Sequence, residues 1–302
     1  MDPELDHAAE QFLQCRSRLL GIAYRLLGSA WDAEDVVDEA SVKWLQANRA
    51  EIREPVAYLT TIVTRLALDQ LKSARVQREQ YYGPWLPEPA LTEQGQLGPA
   101  ETAEQRESLS MATLLLMEQL TPPERAVFVL RTAFDIPYQD VAEILDVSVP
   151  AARQLLHRAQ RRLSDEPGRF STDAAEHAEL FSRFLAATTT GDLAGLERLL
   201  AADVVAYNDG GGKARAAPRP VIGSANVLRF IAGLLRKYPV IESIELVEAN
   251  GHPAVLLGEG ESRQLVAVDV RGGLIHEIYA VLNPDKLSYS ERQLSQTPPT
   301  DG

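Results

Sequence analysis

Arg153, Gln154, His157, Arg158 and Arg161 lie within nine residues of one another, and their side chains suit nucleic acid. Arginine offers a planar fork of donors to a phosphate or to the O6/N7 edge of guanine, and glutamine matches N6/N7 of adenine. The spacing puts all five on the polar side of a helix. Ala152, Leu155, Leu156, Ala159 and Leu163 recur at helical period on the other side. No acidic residue occurs from Val147 to Leu163. The element that must hold them is Tyr138–Leu163. It reads as two short helices broken at Asp146-Val147-Ser148, with Val141, Ala142 and Leu145 facing inward from the first and Ser148 capping the second. That is a helix-turn-helix whose second helix would enter the major groove. A solvated helix face on an ordinary bundle is the competing reading of this segment alone.

Composition narrows the options. The 302 residues carry a formal net charge of −13 and suffice for two or three domains. Most of such a surface repels phosphate, which argues against indiscriminate nucleic-acid binding. Cys15 is the only cysteine, so neither an intrachain disulfide nor a cysteine-based zinc site can form. No metal and no cofactor is expected. The start, MDPELDHAAEQFLQ, lacks the basic end and apolar core of a signal peptide, and no apolar run reaches membrane-spanning length. The cytoplasm is the expected location, with no membrane partner.

Residues 5–27 read as a helix with Leu13, Leu20, Ala23, Tyr24 and Leu27 available for a core, ended by Gly28. Ser29 opens the next helix, whose apolar stripe is Ala33, Val36, Val37, Ala40 and Trp44. Its first half carries Asp32, Glu34, Asp35, Asp38 and Glu39. Acids near a helix N-terminus complement its dipole, but five in eight residues exceed that need and favour a basic protein partner. Asn48–Pro55 is a loop. A third helix then runs to about Arg78, with Leu59, Ile62, Val63 and Leu66 inward and Arg65, Lys72, Arg75 and Arg78 toward its C-terminal half. Cations there suit the helix dipole and could also track phosphates.

Gln80–Glu107 is acidic and rich in glycine and proline, the composition of a linker. It nevertheless contains Tyr81, Tyr82 and Trp85, which a purely flexible spacer would not expose. Beyond it, Thr121-Pro122-Pro123-Glu124 is a capping box, and Val127, Leu130 and Phe134 bury the helix that follows.

Three blocks in this order carry a resemblance. LLGIAYRLLGSAWDAEDVVDEASVKWL resembles the polymerase-binding segment of sigma factors. EPVAYLTTIVTRLALDQLKSAR is similar to the segment that recognises and opens the −10 element. LTPPERAVFVLRTAFDIPYQDVAEILDVSVPAARQLLHRAQRRL is similar to the domain that reads the −35 element. The order and spacing resemble extracytoplasmic-function (ECF) sigma factors. The resemblance implies core RNA polymerase and promoter DNA as partners. It implies that Asp32, Glu34, Asp35, Asp38 and Glu39 dock on the clamp helices of the polymerase's largest subunit. Arg49, Arg53, Arg65, Lys72 and Arg75 would serve the −10 element, and the five residues of the second helix the −35 element.

Residues 173–286 read as a different domain, helices first and then strands over Ile241–Glu248, Ala254–Leu257, Gln264–Val270 and Leu274–Leu282. The pattern resembles a SnoaL-like α+β conical barrel. Asp209, Asp269, His276 and Tyr279 are its candidates for acid–base chemistry, but no spacing demands catalysis. The glycine run Asp209-Gly210-Gly211-Gly212-Lys213 lacks the spacing and following helix of a phosphate loop. With Trp85-Leu86-Pro87-Glu88-Pro89 and Asn283-Pro284-Asp285-Lys286, it resembles a sigma-factor subgroup whose fused C-terminal SnoaL-like domain tunes activity.

The expected architecture is therefore multidomain: two all-α sigma domains, the second with the helix-turn-helix, then the α+β barrel. The expected boundaries are 1–80 for the polymerase and −10 domain, 81–108 for the linker, 109–166 for the −35 domain, 173–286 for a regulatory barrel and 287–302 for a flexible tail. The expected function is promoter-directed transcription initiation by a non-enzymatic factor. The alternatives are a polymerase-independent DNA-binding regulator, or a barrel enzyme or sensor of an unidentified small ligand fused to a DNA-binding module.

Overall fold

The computed structural model describes residues 3–92, 97, 102–163, 173–238 and 243–296. The chain folds into two compact units. One comprises residues 1–79, 94–109 and 113–165, and the other residues 80–93, 110–112 and 166–302.

The first unit is helical. Helices α1 (Pro3–Leu27), α2 (Ala30–Gln46) and α3 (Pro55–Glu79) pack on one another, with a 3₁₀ turn at Arg49–Glu51 before α3. Gly28 takes φ +67°, and Ser29 Oγ accepts the Asp32 amide at 3.1 Å, so the chain turns sharply between α1 and α2. The stripe Ala33, Val36, Val37, Ala40 and Trp44 is buried as its period predicts, and Trp44 Nε1 donates to the Ala8 carbonyl at 2.8 Å. Leu13 departs from expectation. It is 65% exposed, because α1 turns Leu19, Leu20, Ile22, Ala23, Leu26 and Leu27 to the core instead.

Short helices α4 (Ala103–Glu107) and α5 (Met111–Leu116) lead to α6 (Pro122–Thr132), α7 (Tyr138–Leu145) and α8 (Val149–Leu163). The Thr121/Glu124 capping box starts α6. Asp146 ends α7 in the left-handed conformation, and Ser148 Oγ accepts the Ala151 amide at 3.3 Å. The two helical parts of this unit are joined by buried arginines. Arg25 is fully buried on α1 and donates to Ser108 Oγ (2.8 Å) and to the carbonyls of Gly21 (3.2 Å), Leu97 (2.8 Å) and Gln105 (3.2 Å). Burial lowers its pKa to about 9. Arg125 of α6 donates to the Arg25 carbonyl at 3.1 Å and pairs with Glu118 at 2.5 Å, and Arg78 of α3 pairs with the same carboxylate.

The second unit contains α9 (Ala174–Thr190), α10 (Leu193–Leu199), β1 (Leu200–Asp209), β2 (Val221–Ile222), α11 (Ser224–Lys237), β3 (Ile244–Ala249), β4 (His252–Leu257), β5 (Gln264–Arg271), β6 (Leu274–Val281) and α12 (Pro284–Gln296). Its strands form one sheet in the order β2-β1-β6-β5-β4-β3. β3 to β6 make the expected antiparallel meander, turned at Asn250-Gly251 and Gly272-Gly273 with positive φ. β1 pairs parallel to β6, which the turn signals could not show. Leu180, Phe181, Phe184, Val227 and Ile231 of the helices pack on Val204, Ala206, Val255, Val266, Val268 and Ile278 from one sheet face. Leu234 of α11 is 40% exposed.

Residues 287–296 are a correction. They continue helix α12 rather than beginning a tail. Asn283 Oδ1 accepts the Asp285 amide at 3.1 Å and Pro284 is the first helical residue, a helix start. Leu287, Tyr289, Ser290 and Gln293 are buried.

On α9, His177 is 4% exposed and its ring stacks on that of His252, with centroids 4.4 Å apart. Burial, then the neighbouring His252, lowers its pKa from 6.5 to about 4. The folded state therefore holds a neutral imidazole that the unfolded chain protonates below about pH 6.5. Its contribution is complete above pH 6.5 and is lost as the pH falls toward 4. Thermal and urea unfolding of the C-terminal unit between pH 7 and 5 should show a loss of about 2 kcal/mol from this group. His177→Phe should flatten that dependence, and an equal slope in both proteins would refute the assignment.

Candidate functional site

Helix α8 presents Arg153, Gln154, His157, Arg158 and Arg161 exposed, over buried Ala152, Leu155, Leu156, Ala159 and Leu163. The five do not share one environment. Arg153 lies over the Tyr138 ring, 5.4 Å from its centroid. Arg158 sits at the edge of the face, 3.8 Å from the carboxylate of Glu124, which also pairs with Arg162 at 2.6 Å. Arg158 and Arg162 thus tie α8 to the α6 cap. Arg153, Gln154 and His157 are exposed and, of the five, lie nearest the N-terminus of α8.

The −10 candidates divide more sharply. Arg53 is exposed and lines an open groove of about 480 Å³ with Ala47, Asn48, Glu51, Ile52, Glu54 and Tyr58. Arg49, beside it, donates to the Leu45 carbonyl at 2.8 Å and so caps α2. Arg65 donates to the Glu143 and Ile144 carbonyls of α7, both at 3.1 Å. Lys72 pairs with Asp69 at 2.7 Å, and Arg75 is half-buried close to Arg125. The structure brings Arg53 to the groove, turns Arg49 back to the end of α2, and leaves Arg65, Lys72 and Arg75 along α3.

On α2, Asp35, Asp38 and Glu39 are exposed. Asp32 lies in the N-terminal turn, and Glu34 is 3.8 Å from Arg16. Val42 and Leu45, which sequence reasoning passed over, are 51% and 41% exposed. With Asp35 and Asp38 they run at spacings of three, four and three, and so share one exposed face of α2. A count of apolar residues outside the buried stripe would have found them.

The linker motif and the two C-terminal motifs converge on one buried carboxylate. Asp209, at the end of β1, is fully buried. Its Oδ1 accepts the Tyr81 hydroxyl at 2.6 Å. Its Oδ2 accepts the Leu86 amide at 2.8 Å and the Lys286 ammonium at 2.7 Å. Lys286 also donates to the Leu86 carbonyl and lies 4.7 Å from the Tyr81 ring centroid and 4.5 Å from that of Trp85. Asn283 Nδ2 donates to the Tyr81 hydroxyl at 2.8 Å, and Lys213 pairs with Asp285 at 2.5 Å. Burial, then the Asp209 carboxylate, raises the Tyr81 pKa, so the phenol stays a donor.

A Cβ on Gly211 would fall 2.3 Å from Asn283 Nδ2 and 2.7 Å from the Tyr81 oxygen, and φ there is +56°. Only glycine admits this approach. The segment through Thr92 is held as well. Ser290 donates to the Pro89 carbonyl at 2.7 Å, Gln293 bonds both backbone groups of Leu91, and the Thr92 amide reaches the Glu248 carbonyl at 3.0 Å. Leu86, Pro87 and Pro89 are buried, Trp85 and Glu88 partly so, while Tyr82 stays 68% exposed.

The acid–base candidates of the sheet are occupied by one another's neighbours: Asp269 pairs with Arg271 at 2.6 Å, Arg271 lies 3.5 Å from Glu277, Glu277 accepts from Tyr279, and His276 stands apart, 3.8 Å from Asp203. Asp269 and Tyr279 alternate with Val268, Val270, Ile278 and Ala280, so they lie on the sheet face opposite that apolar cluster.

Comparison with known proteins agrees with this layout. Family models described as Sigma-70 region 2 and Sigma-70, region 4 match residues 12–76 and 110–163. The chain is 37% identical over 301 residues to the ECF RNA polymerase sigma factor SigJ of Mycobacterium tuberculosis, covering 96% of each. It is 29% identical over 276 residues to the M. tuberculosis protein named "Probable ECF RNA polymerase sigma factor SigI", covering 90% of this chain and 92% of that one. The crystal structure of SigJ matches with TM-score 0.76 at 34% identity, over 93% of this chain and 98% of that chain. The chain belongs to the ECF sigma factors. It directs RNA polymerase to promoters for transcription initiation, and as a sigma factor it is a member of a non-enzymatic family. Among the described residues no helix is long and apolar enough to cross a membrane.

If α8 reads the −35 element, Arg153→Ala, Gln154→Ala and His157→Ala in the holoenzyme should each cost about 1–3 kcal/mol on the preferred promoter and relax one position. Arg158→Ala and Arg161→Ala should weaken all promoters alike. Selection from a randomised −35 library checks this. Unchanged −35 selectivity in the five-fold alanine variant would sink it.

Proposed function

We propose that the C-terminal domain regulates initiation by holding the linker, and that the Asp209–Lys286–Tyr81 cluster is its latch. The bonding of residues 81–92 to β1, β3 and α12 is the observation that carries this reading. Trp85, Leu86, Pro87, Glu88 and Pro89 form the held segment. Gly210, Gly211, Gly212 and Lys213, with Asn283, Pro284, Asp285 and Lys286, form the receiving surface.

Promoter engagement uses α8 for the −35 element, Arg49, Arg53, Arg65, Lys72 and Arg75 for the −10 element, and Asp32, Glu34, Asp35, Asp38 and Glu39 for core polymerase. In the free chain Arg65 is tied to α7, so the element reading −10 is bonded to the domain reading −35. Reading two separated promoter elements requires that contact to open. A docked linker shortens the chain available for opening, so small changes in latch occupancy change initiation.

Asp209→Asn combined with Lys286→Met removes the charges without leaving one buried alone. In run-off transcription with core polymerase the double variant should exceed wild type severalfold, and limited proteolysis should cut residues 81–92 faster. A linker that becomes cleavable while transcription stays at the wild-type rate, or falls, would defeat the proposal.

A further inference from the structure

From Gly210 to Tyr238 the chain carries six cations and no aspartate or glutamate, within a protein of net charge −13. Lys213 is paired with Asp285. Arg215, Arg219, Arg229, Arg236 and Lys237 are exposed and, among the described residues, enter no ion pair. Arg229 and Arg236 are seven positions apart on α11, hence on one face. They donate to carbonyls of their own helix, at Ala225 and Ala232, both at 3.3 Å. Between them the face is low: Ala232 and Gly233 carry little side chain, and a Cβ on Gly233 would meet nothing within 4 Å.

At the C-terminal end, Lys237 lies 4.7 Å from the exposed Tyr238 ring. Lys237, and to a lesser degree the charge of Arg215 in the loop before β2, lower the Tyr238 pKa. Arg219 precedes β2, which leads into the opposite end. The 14 residues of α11 span about 21 Å.

A solvated helix face is the plain alternative. The helix dipole accounts for Arg236 and Lys237 in the last turn but not for Arg229, Arg215 or Arg219. Unneutralised like charges also repel one another, so their concentration in an acidic chain needs a partner. Arginine outnumbers lysine four to one, which fits an oxyanion array better than a diffuse field. A straight, low, basic ridge matches the regular phosphates of duplex DNA, and the family's function brings duplex DNA to this chain.

We propose that this face of α11, with Arg215 and Arg219, is a sequence-independent docking surface for the phosphates of promoter DNA. It adds a third DNA-binding surface to those of the two helical domains. The inference rests on the chain acting as a sigma factor, and wild-type promoter binding tests that separately in the same assay.

The test uses holoenzyme made with the full chain and a fluorescent promoter duplex, with affinity followed as salt is raised. The variants are Arg229→Gln/Arg236→Gln/Lys237→Gln, and a five-fold version adding Arg215→Gln and Arg219→Gln. Arg183→Gln/Arg198→Gln, exposed on α9 and α10, is the control. The five-fold variant should bind about tenfold more weakly at physiological salt. Its slope of log affinity against log salt should be shallower by about 0.9 for each phosphate that is no longer neutralised. The weakening should be the same when sequence outside the −10 and −35 elements is scrambled, and the control should match wild type. The triple variant should show a proportionate part, and it carries the test if the five-fold protein melts below wild type. Unchanged affinity and slope would overturn the proposal. So would an unchanged slope with weakened binding to core polymerase, which would assign the face to an acidic protein surface.

Discussion

The Asp209 carboxylate is removed from water, and much of the C-terminal unit is arranged to satisfy it. An unpaired buried carboxylate costs several kcal/mol, so its two oxygens must find donors. They find three, and two come from the linker: the Tyr81 hydroxyl and the Leu86 amide. The third is Lys286, whose ammonium is itself buried and lies near two aromatic rings that also belong to the linker. Neither ion is accommodated by the sheet and α12 alone. The linker is thus a structural part of this domain. Lysine suits the position because its compact charge fits near both rings, where the flat guanidinium of arginine would need a different cage.

The helical unit uses charge in a related way. Arg25, Arg78 and Arg125 converge on backbone carbonyls and on Glu118, away from solvent. Such groups give geometric definition more than net stability, because desolvation offsets most of their Coulomb gain. Arg25 fixes Leu97, Gln105 and Ser108 to α1, so it holds the later half of the linker as Asp209 holds the earlier half. Arg65 bonds the exposed end of α7 and is the more readily released, since its carbonyl partners can turn to water.

The periodic elements are legible in the sequence because burial imposes a period. The stripes of α2 and α8 and the caps at Ser29, Thr121 and Ser148 follow directly from residue type and spacing. What the sequence does not show is the partner of each polar group. Arg25 reads as a surface residue until Ser108 and Leu97 are seen around it. Arg65 and Lys72 read as free phosphate ligands until α7 and Asp69 are seen beside them. Asn283-Pro284 is a legible helix start, but the serines and glutamines beyond it hide α12, whose buried face is largely polar. The glycine run has neither the spacing nor the following helix of a phosphate loop. Its reason is Tyr81, some 130 residues earlier in the chain.

The acidity of the chain connects these parts. Exposed charges act over about one Debye length, roughly 8 Å at physiological salt. A basic face on α8 therefore attracts DNA only after something else has brought it that close, while most of the surface repels the same phosphates. The acidic stripe of α2, continued by exposed Val42 and Leu45, has the chemistry to bind a basic protein first. On the proposed reading, affinity for promoter DNA belongs to the assembled holoenzyme, and the proposed latch on the linker would control it without touching the residues assigned to base reading. The proposed internal regulation needs this arrangement: a free factor that bound promoters tightly by itself would leave such a latch nothing to control.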